Sequence, residues 1–262
     1  MKRENDRARL VEPREAGRAG RAFGVRRTLA GAGFAFAVAC VVAPSADAAF
    51  VASLVGRTEG RTETCGHSTQ LAWDSPGSVT MLARGAFQHD FEDEEGTPFQ
   101  SWALELGPAL DGGAMYLFEQ RTLGSAGLGG MRATLLSDLF ARWIDPATNR
   151  VVGPHASRAT ISAAFQLVVW EIAHENLDTA DAAVARGRMT LGLGAFKASA
   201  SAATASAFTE IVDSLGAGGF LGSGLEVLAN PVAQDQIRAV PSPGAAFALL
   251  AAFAAPARRR RR

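Results

Sequence analysis

Residues 157–176 read SRATISAAFQLVVWEIAHEN. Ile161, Phe165, Val168, Val169 and Ile172 recur at helical spacing and form one apolar stripe. The spacing predicts a helix over 157–174, with Ser157 capping its start and Asn176 ending it in the left-handed region. At about 100° per residue, Gln166 falls beside the stripe, one turn from Ala163 and Trp170, at the edge of a core. A carboxamide in that position must find hydrogen bonds. On the residues alone, Gln166 bonds to the main chain of a nearby strand and Trp170 packs. His174 falls on the opposite face, in solvent.

Before this helix the chain has β character. Over residues 49–106, short apolar runs such as 50–52 and 78–82 alternate with Gly, Thr and an Asp-Ser-Pro-Gly turn. Residues 99–106 (FQSWALEL) alternate and predict a strand. Residues 107–130 are Gly-rich and loop-like, with a short strand at 115–118. Apolar positions 135, 136, 139, 140, 143 and 144 predict a helix over 131–144. Residues 195–215, rich in Ala and Ser, predict a weaker one, and 216–238 are Gly-rich, then extended. Strands followed by helices give an α+β fold, a β-sheet or partial barrel carrying a layer of helices.

The 262 residues carry no formal net charge, yet the balance is uneven: Lys and Arg gather at the two ends and the middle is acidic. An acidic body argues against a nucleic-acid partner. Near the start, Arg26 and Arg27 precede an apolar run over 29–42, then Pro44, Ser45 and the small-x-small triplet Ala46-Asp47-Ala48. That order predicts a signal peptide and leader over 1–48, handled by the secretion machinery and cut after Ala48. A twin-arginine reading of Arg26-Arg27 is incomplete. A lipoprotein reading through Cys40 is weaker, because Ala37 stands three residues before it.

At the other end, residues 240–244 read VPSPG, and Pro241 and Pro243 exclude a helix there. An apolar run over 245–255 follows, and then the arginines 258–262. As a helix the run is only about 20 Å long, short for a bilayer core of about 30 Å. The arginines would remain on the cytoplasmic side. Val240, Pro241, Pro243 and Gly244, the short apolar helix and Arg258, Arg259 and Arg260 together resemble the PEP-CTERM sorting signal, in its Val-Pro-x-Pro-Gly variant. Ser242 stands where that signal has Glu or Leu. The resemblance implies export, a transient hold in the inner membrane by the tail, cleavage by an exosortase-type sorting protease, and release to the cell surface or extracellular matrix. The body is then 49–239 and the sorting tail 240–262, each end contributing one apolar helix.

The body carries a second resemblance. Gln166 and Trp170 match the Gln-x-Ala-x-Trp helix of thioester domains, with Val168 in place of Ala. In that family the Gln is condensed with a Cys thiol on an earlier strand, in a phrase like Phe-x-Thr-Phe-Cys-x-Glu-Leu. Here Phe99, Glu105 and Leu106 fit that phrase, but Ala103 stands where the Cys belongs. Ala offers no nucleophile, so no Ala103–Gln166 cross-link can form, and Glu105 becomes a structural, hydrogen-bonding residue. The resemblance spans most of 85–240, Gln234-Asp235-Gln236 included. It implies a non-catalytic surface or matrix protein, adhesive, with an extracellular polysaccharide or surface ligand as partner.

Two alternatives stand beside it. A covalent adhesin could use Cys65 with Gln166, and an extracellular hydrolase could gather His155 or His174 with acids and a hydroxyl. After signal removal Cys65 is the one remaining Cys, so no internal disulfide forms. A partly exposed bystander is its simplest reading. No cofactor is implied. Cys65 and His67 lack further metal ligands nearby, and the acidic run 90–95 lacks the spacing of a calcium loop and predicts a solvated hairpin tip.

Overall fold

The computed structural model describes residues 49–145, 148–154, 157–216 and 224–240. The signal peptide, the cleavage triplet, His155 and the tail from Pro241 onward lie outside the described residues.

The chain is α+β. Strands β1 (Ala49–His67), β2 (Leu82–Asp93), β3 (Pro98–Ala103) and β4 (Met115–Arg121) precede α1 (Met131–Trp143). A two-strand ladder, β5 (Ile144–Asp145) with β6 (Arg150–Val151), leads to α2 (Arg158–His174). Then come α3 (Ala182–Arg188), β7 (Phe196–Ser199), α4 (Ala202–Ser214), β8 (Gly224–Ala229) and β9 (Gln236–Val240). The large sheet runs β2-β3-β9-β8-β4-β1-β7, and β1 also pairs with β2. Six strands therefore close into an antiparallel ring, with β7 added at the far end of β1. Full closure removes exposed sheet edges.

The length of β1 makes this possible. Ala52 and Ser53 pair with β2 on one edge and with β4 on the other, while Thr64–His67 pair with β7. Register shifts between Leu54 and Gly56 and between Thr58 and Gly60 bend the strand. Glu59 takes φ 45 at the second shift, and its carboxylate reaches Arg150 at 3.2 Å and Arg158 at 3.8 Å, tying the bend to the start of α2.

α2 touches β1, β2, β3, β6 and β7, and also α1 and α4. That is why it is buried all round, from Thr160 to Ile172, rather than along one stripe. The tilted Trp102–Phe165 pair, centroids 4.6 Å apart, and the edge-on Phe140–Phe165 pair, 5.2 Å apart, join β3 to α2 and α2 to α1.

Several expectations are corrected. The strand over 99–106 ends at Ala103, and β2 begins only at Leu82, leaving 78–81 outside any strand. The segment 195–200 is not helical: it holds β7, and the helix after it starts at Ala202. Asn176 is not left-handed. α2 ends with Glu175 extended at φ −76, and Glu175 Oε1 accepts the Asn176 N–H at 2.7 Å instead. Ser157 stands at the N-cap but makes no side-chain capping bond. The acidic run splits: Asp90–Asp93 lie on β2, and Asp93 Oδ1 accepts the N–H groups of Glu95 and Thr97 to shape the tip.

Candidate functional site

β2 and β3 pair from Glu92↔Pro98 to His89↔Ser101, and then β2 leaves β3. On its other edge β3 continues against β9, through Ala103↔Gln236 and the Leu104 N–H donating to Asp235 O at 2.9 Å. In an antiparallel strand the N–H and C=O of alternate residues point to the same edge. Leu104 faces β9, so Ala103 directs both its polar groups toward the vacated β2 side. Gln166 fills that place. Ala103 N–H donates to Gln166 Oε1 at 3.0 Å, and Gln166 Nε2 donates to Ala103 O at 2.7 Å. The carboxamide acts as one peptide unit of an absent strand. Both residues are 0% exposed. Gln166 is therefore central, not at the edge of the core.

Glu105 follows one residue after the ladder bond at Leu104. Its Oε2 accepts the Asp235 N–H at 3.3 Å, and its carbonyl accepts from Gln234 Nε2. Asp235 Oδ1 accepts the Asn230 N–H at 2.7 Å. Within the ring, Gln236 Oε1 accepts from His89 Nδ1 at 2.9 Å and from Ser101 Oγ at 3.0 Å. Gln234 and Asp235 thus fasten the turn after β3 to β9, and Gln236 ties β9 to β2 and β3.

Burial holds His89 down to about 4, while its bond to Gln236 pulls the other way. A depressed folded-state pKa contributes stability above the unfolded value of about 6.5, lost as pH falls toward the folded one. The stability difference between wild type and His89→Gln is expected to shrink by about 1.4 kcal/mol per pH unit as pH drops from 6.5 toward 4. Urea titrations of both proteins across that range check it, and a pH-independent difference would refute it. Taking the difference between the two proteins cancels Glu171, whose burial raises its pKa and acts with the opposite sign.

Trp170 is buried one turn beyond Gln166, with Nε1 unpartnered among the described residues. It lines a cavity of about 120 Å³ with Arg57, Arg84, His89 and Gln234. One further turn along lies His174, and here the sequence misled. Its ring stacks on His67, centroids 4.3 Å apart at 27°. Burial first, and then His67, push it down to about 4. Both rings border a second cavity, of about 570 Å³, with Cys65, Thr80, Leu82, Arg84 and Glu105. Cys65 is buried, not partly exposed, and burial pushes its thiol up to about 12 against the pull of Arg84. Strand alternation could have found this group: Glu63, Cys65 and His67 share a face of β1, and Leu82 and Arg84 lie opposite in register on β2.

Val240 is the last residue of β9. Pro241, Pro243, Gly244, Arg258, Arg259 and Arg260 lie outside the described residues. No helix among the described residues is long and apolar enough to cross a membrane. Comparison of the chain with protein-family models, curated proteins and solved structures finds no match.

Proposed function

We propose that the chain is an exported cell-envelope or extracellular-matrix protein whose body holds its target without covalent chemistry. The sorting tail would keep it briefly in the inner membrane until an exosortase-type protease cuts it. The body would then serve as an adhesive or binding module. Support for the export half comes from the order of charge, apolar run and cleavage motif at each end.

One observation carries the non-covalent half: the double hydrogen bond between the Gln166 carboxamide and the Ala103 main chain. A thioester needs a thiol at that junction, and position 103 holds a methyl. Cys65 lines the cavity beside His174, and Gln166 precedes His174 by two turns, about 12 Å of helix. Gln166 also spends both polar atoms on Ala103. Geometry therefore favours binding over the covalent adhesin.

The hydrolase reading draws on the cavity that gathers His174, Glu105 and Thr80. A hydrolase needs an activated nucleophile. The Cys65 thiol is pushed away from its thiolate, and His174 is stacked on a second imidazole. That arrangement favours a binding site over a reactive one.

Intact mass of the purified exported protein tests the proposal. The expected mass is that of the chain cut after Ala48 and near residues 240–244, with no loss of ammonia and no change on methylamine treatment. A loss of ammonia abolished by Cys65→Ala would establish the covalent adhesin instead. A cytosolic protein that keeps its arginine tail would overturn the export half.

A further inference from the structure

His67 is the last residue of β1, and His174 is the last residue of α2. Their stacked rings, centroids 4.3 Å apart at 27°, join the two ends. His67 is exposed and His174 half-buried. No ion pair joins either ring to a carboxylate among the described residues. His174 Nε2 is buried and has no partner among them, so a proton placed there would make a buried donor with nothing to accept it. Both rings border the cavity of about 570 Å³ that also holds Cys65.

The groups around the pair give an imidazolium little welcome. From β2, the Arg84 guanidinium acts on His67, and from α1, Arg132 acts on His174, each as a like charge. On α2 itself, Glu171 Oε1 accepts the Thr190 N–H, and the Glu175 carboxylate accepts from Asn176, Ala195 and Phe196. From the turn after β3 comes Glu105, which burial, and then Asp235, push toward its neutral form, so its charge fades as acid arrives. On β1, Glu63 lies opposite Arg84 in register. On β7, Lys197 lies opposite Gly66 and donates to Gly77 O. Two neutral imidazoles stack in this setting. Two imidazolium rings at the same separation would repel one another as well as the guanidinium groups.

We propose that the His67–His174 stack is an acid-sensitive latch: while both rings are neutral it holds the end of α2 against the end of β1, and proton uptake parts the rings and opens the cavity to Cys65. The latch depends neither on what the body binds nor on how the chain is sorted.

The direction follows from linkage. Burial first, and then His67, push His174 down to about 4. A depressed pKa contributes stability above the unfolded value of about 6.5, and that contribution is lost as pH falls toward the folded one. Burial lowers His67 as well. Between pH 7.5 and 5, His174 alone should raise the open fraction about 30-fold.

Cys65 reports the opening, because it is 0% exposed in the closed form. The test uses the full chain with Cys40→Ala, which leaves Cys65 the sole thiol. Labelling by dithiodipyridine, which reacts with thiols in acid, is followed at pH 7.5 and 5 and divided at each pH by the rate for the chain unfolded in urea. Protection of Cys65 is expected to fall at least tenfold at pH 5. His174→Phe keeps an aromatic ring that takes no proton, and its protection should change less than threefold. Amide exchange, corrected for its own pH dependence, should leave the Ala103 N–H bonded to Gln166 protected at pH 5, which separates local opening from acid unfolding. Should His174→Phe fail to fold, His67→Phe replaces it, with a fall smaller than that of wild type expected. Equal protection of wild type at both pH values would overturn the proposal. So would a fall as large in a folded Phe variant, or Ala103 exchange rising in step with Cys65 labelling.

Discussion

Gln166→Ala is expected to cost about 3–5 kcal/mol of folding stability: each orphaned buried main-chain group costs about 1–3 kcal/mol, and the truncation adds a cavity. For a body of this size that lowers the melting temperature by roughly 10 °C. Gln166→Leu separates the two contributions. It refills the volume but leaves the Ala103 N–H and C=O unpaired, so it should still cost about 2–4 kcal/mol. Gln166→Glu keeps the shape but loses the donor. At neutral pH its carboxylate would face the Ala103 carbonyl, and stability should recover as acid returns a proton to it. Urea unfolding of the three variants measures this. A loss below about 1 kcal/mol in the Leu variant would show that the carboxamide does not stand in for a strand.

Part of this architecture was legible in the residues. A lone Gln in a mostly apolar run announced a partner, and the alternating stretch 99–106 offered one, although the strand itself stops at Ala103. The helices expected over 131–144 and 157–174 followed from spacing and form over 131–143 and 158–174, whereas the acidic run 90–95 lies on β2 as far as Asp93 and only its end forms the tip. Tertiary demands hid the rest. Residues 195–200 have helical composition, yet the Ala195 and Phe196 N–H groups donate to Glu175 Oε2 at 2.7 and 3.2 Å, and the edge of β1 over Thr64–His67 takes the next residues as a strand. No local pattern contains those partners. His174 lies opposite the apolar stripe and reads as solvated because helical spacing cannot show that β1 passes on that side. Closure of the ring is likewise invisible in short windows, since it depends on β1 having neighbours on both edges. Alternation places Cys65 on one face of β1 with Glu63 and His67, but not which face is covered, so its burial was missed.

Gly194→Ala should be the most damaging small substitution in the loop before β7, and Glu175 is the reason. Glu175 is wholly buried, and its carboxylate accepts three main-chain N–H groups: Asn176 on Oε1, Ala195 and Phe196 on Oε2. Gly194 takes φ +92, and a Cβ there would stand 2.0 Å from Glu175 Oε2. The variant therefore pays backbone strain of about 1–3 kcal/mol and must also push the carboxylate off its donors, for a total of about 3–5 kcal/mol. Glu175→Ala orphans the same N–H groups and should cost a similar amount. The two losses share a mechanism, so they should not add. In a Glu175→Ala background, Gly194→Ala should cost only the strain, leaving a coupling of about 2 kcal/mol in the double-mutant cycle. Additive losses would mean that the carboxylate does not hold the loop. The same cycle reaches the cavity, because β7 is paired with the stretch of β1 that carries Cys65 and His67. Loosening β7 should speed amide exchange across Thr64–His67 while leaving protected the Ala103 N–H bonded to Gln166 and the Leu104 N–H bonded to β9.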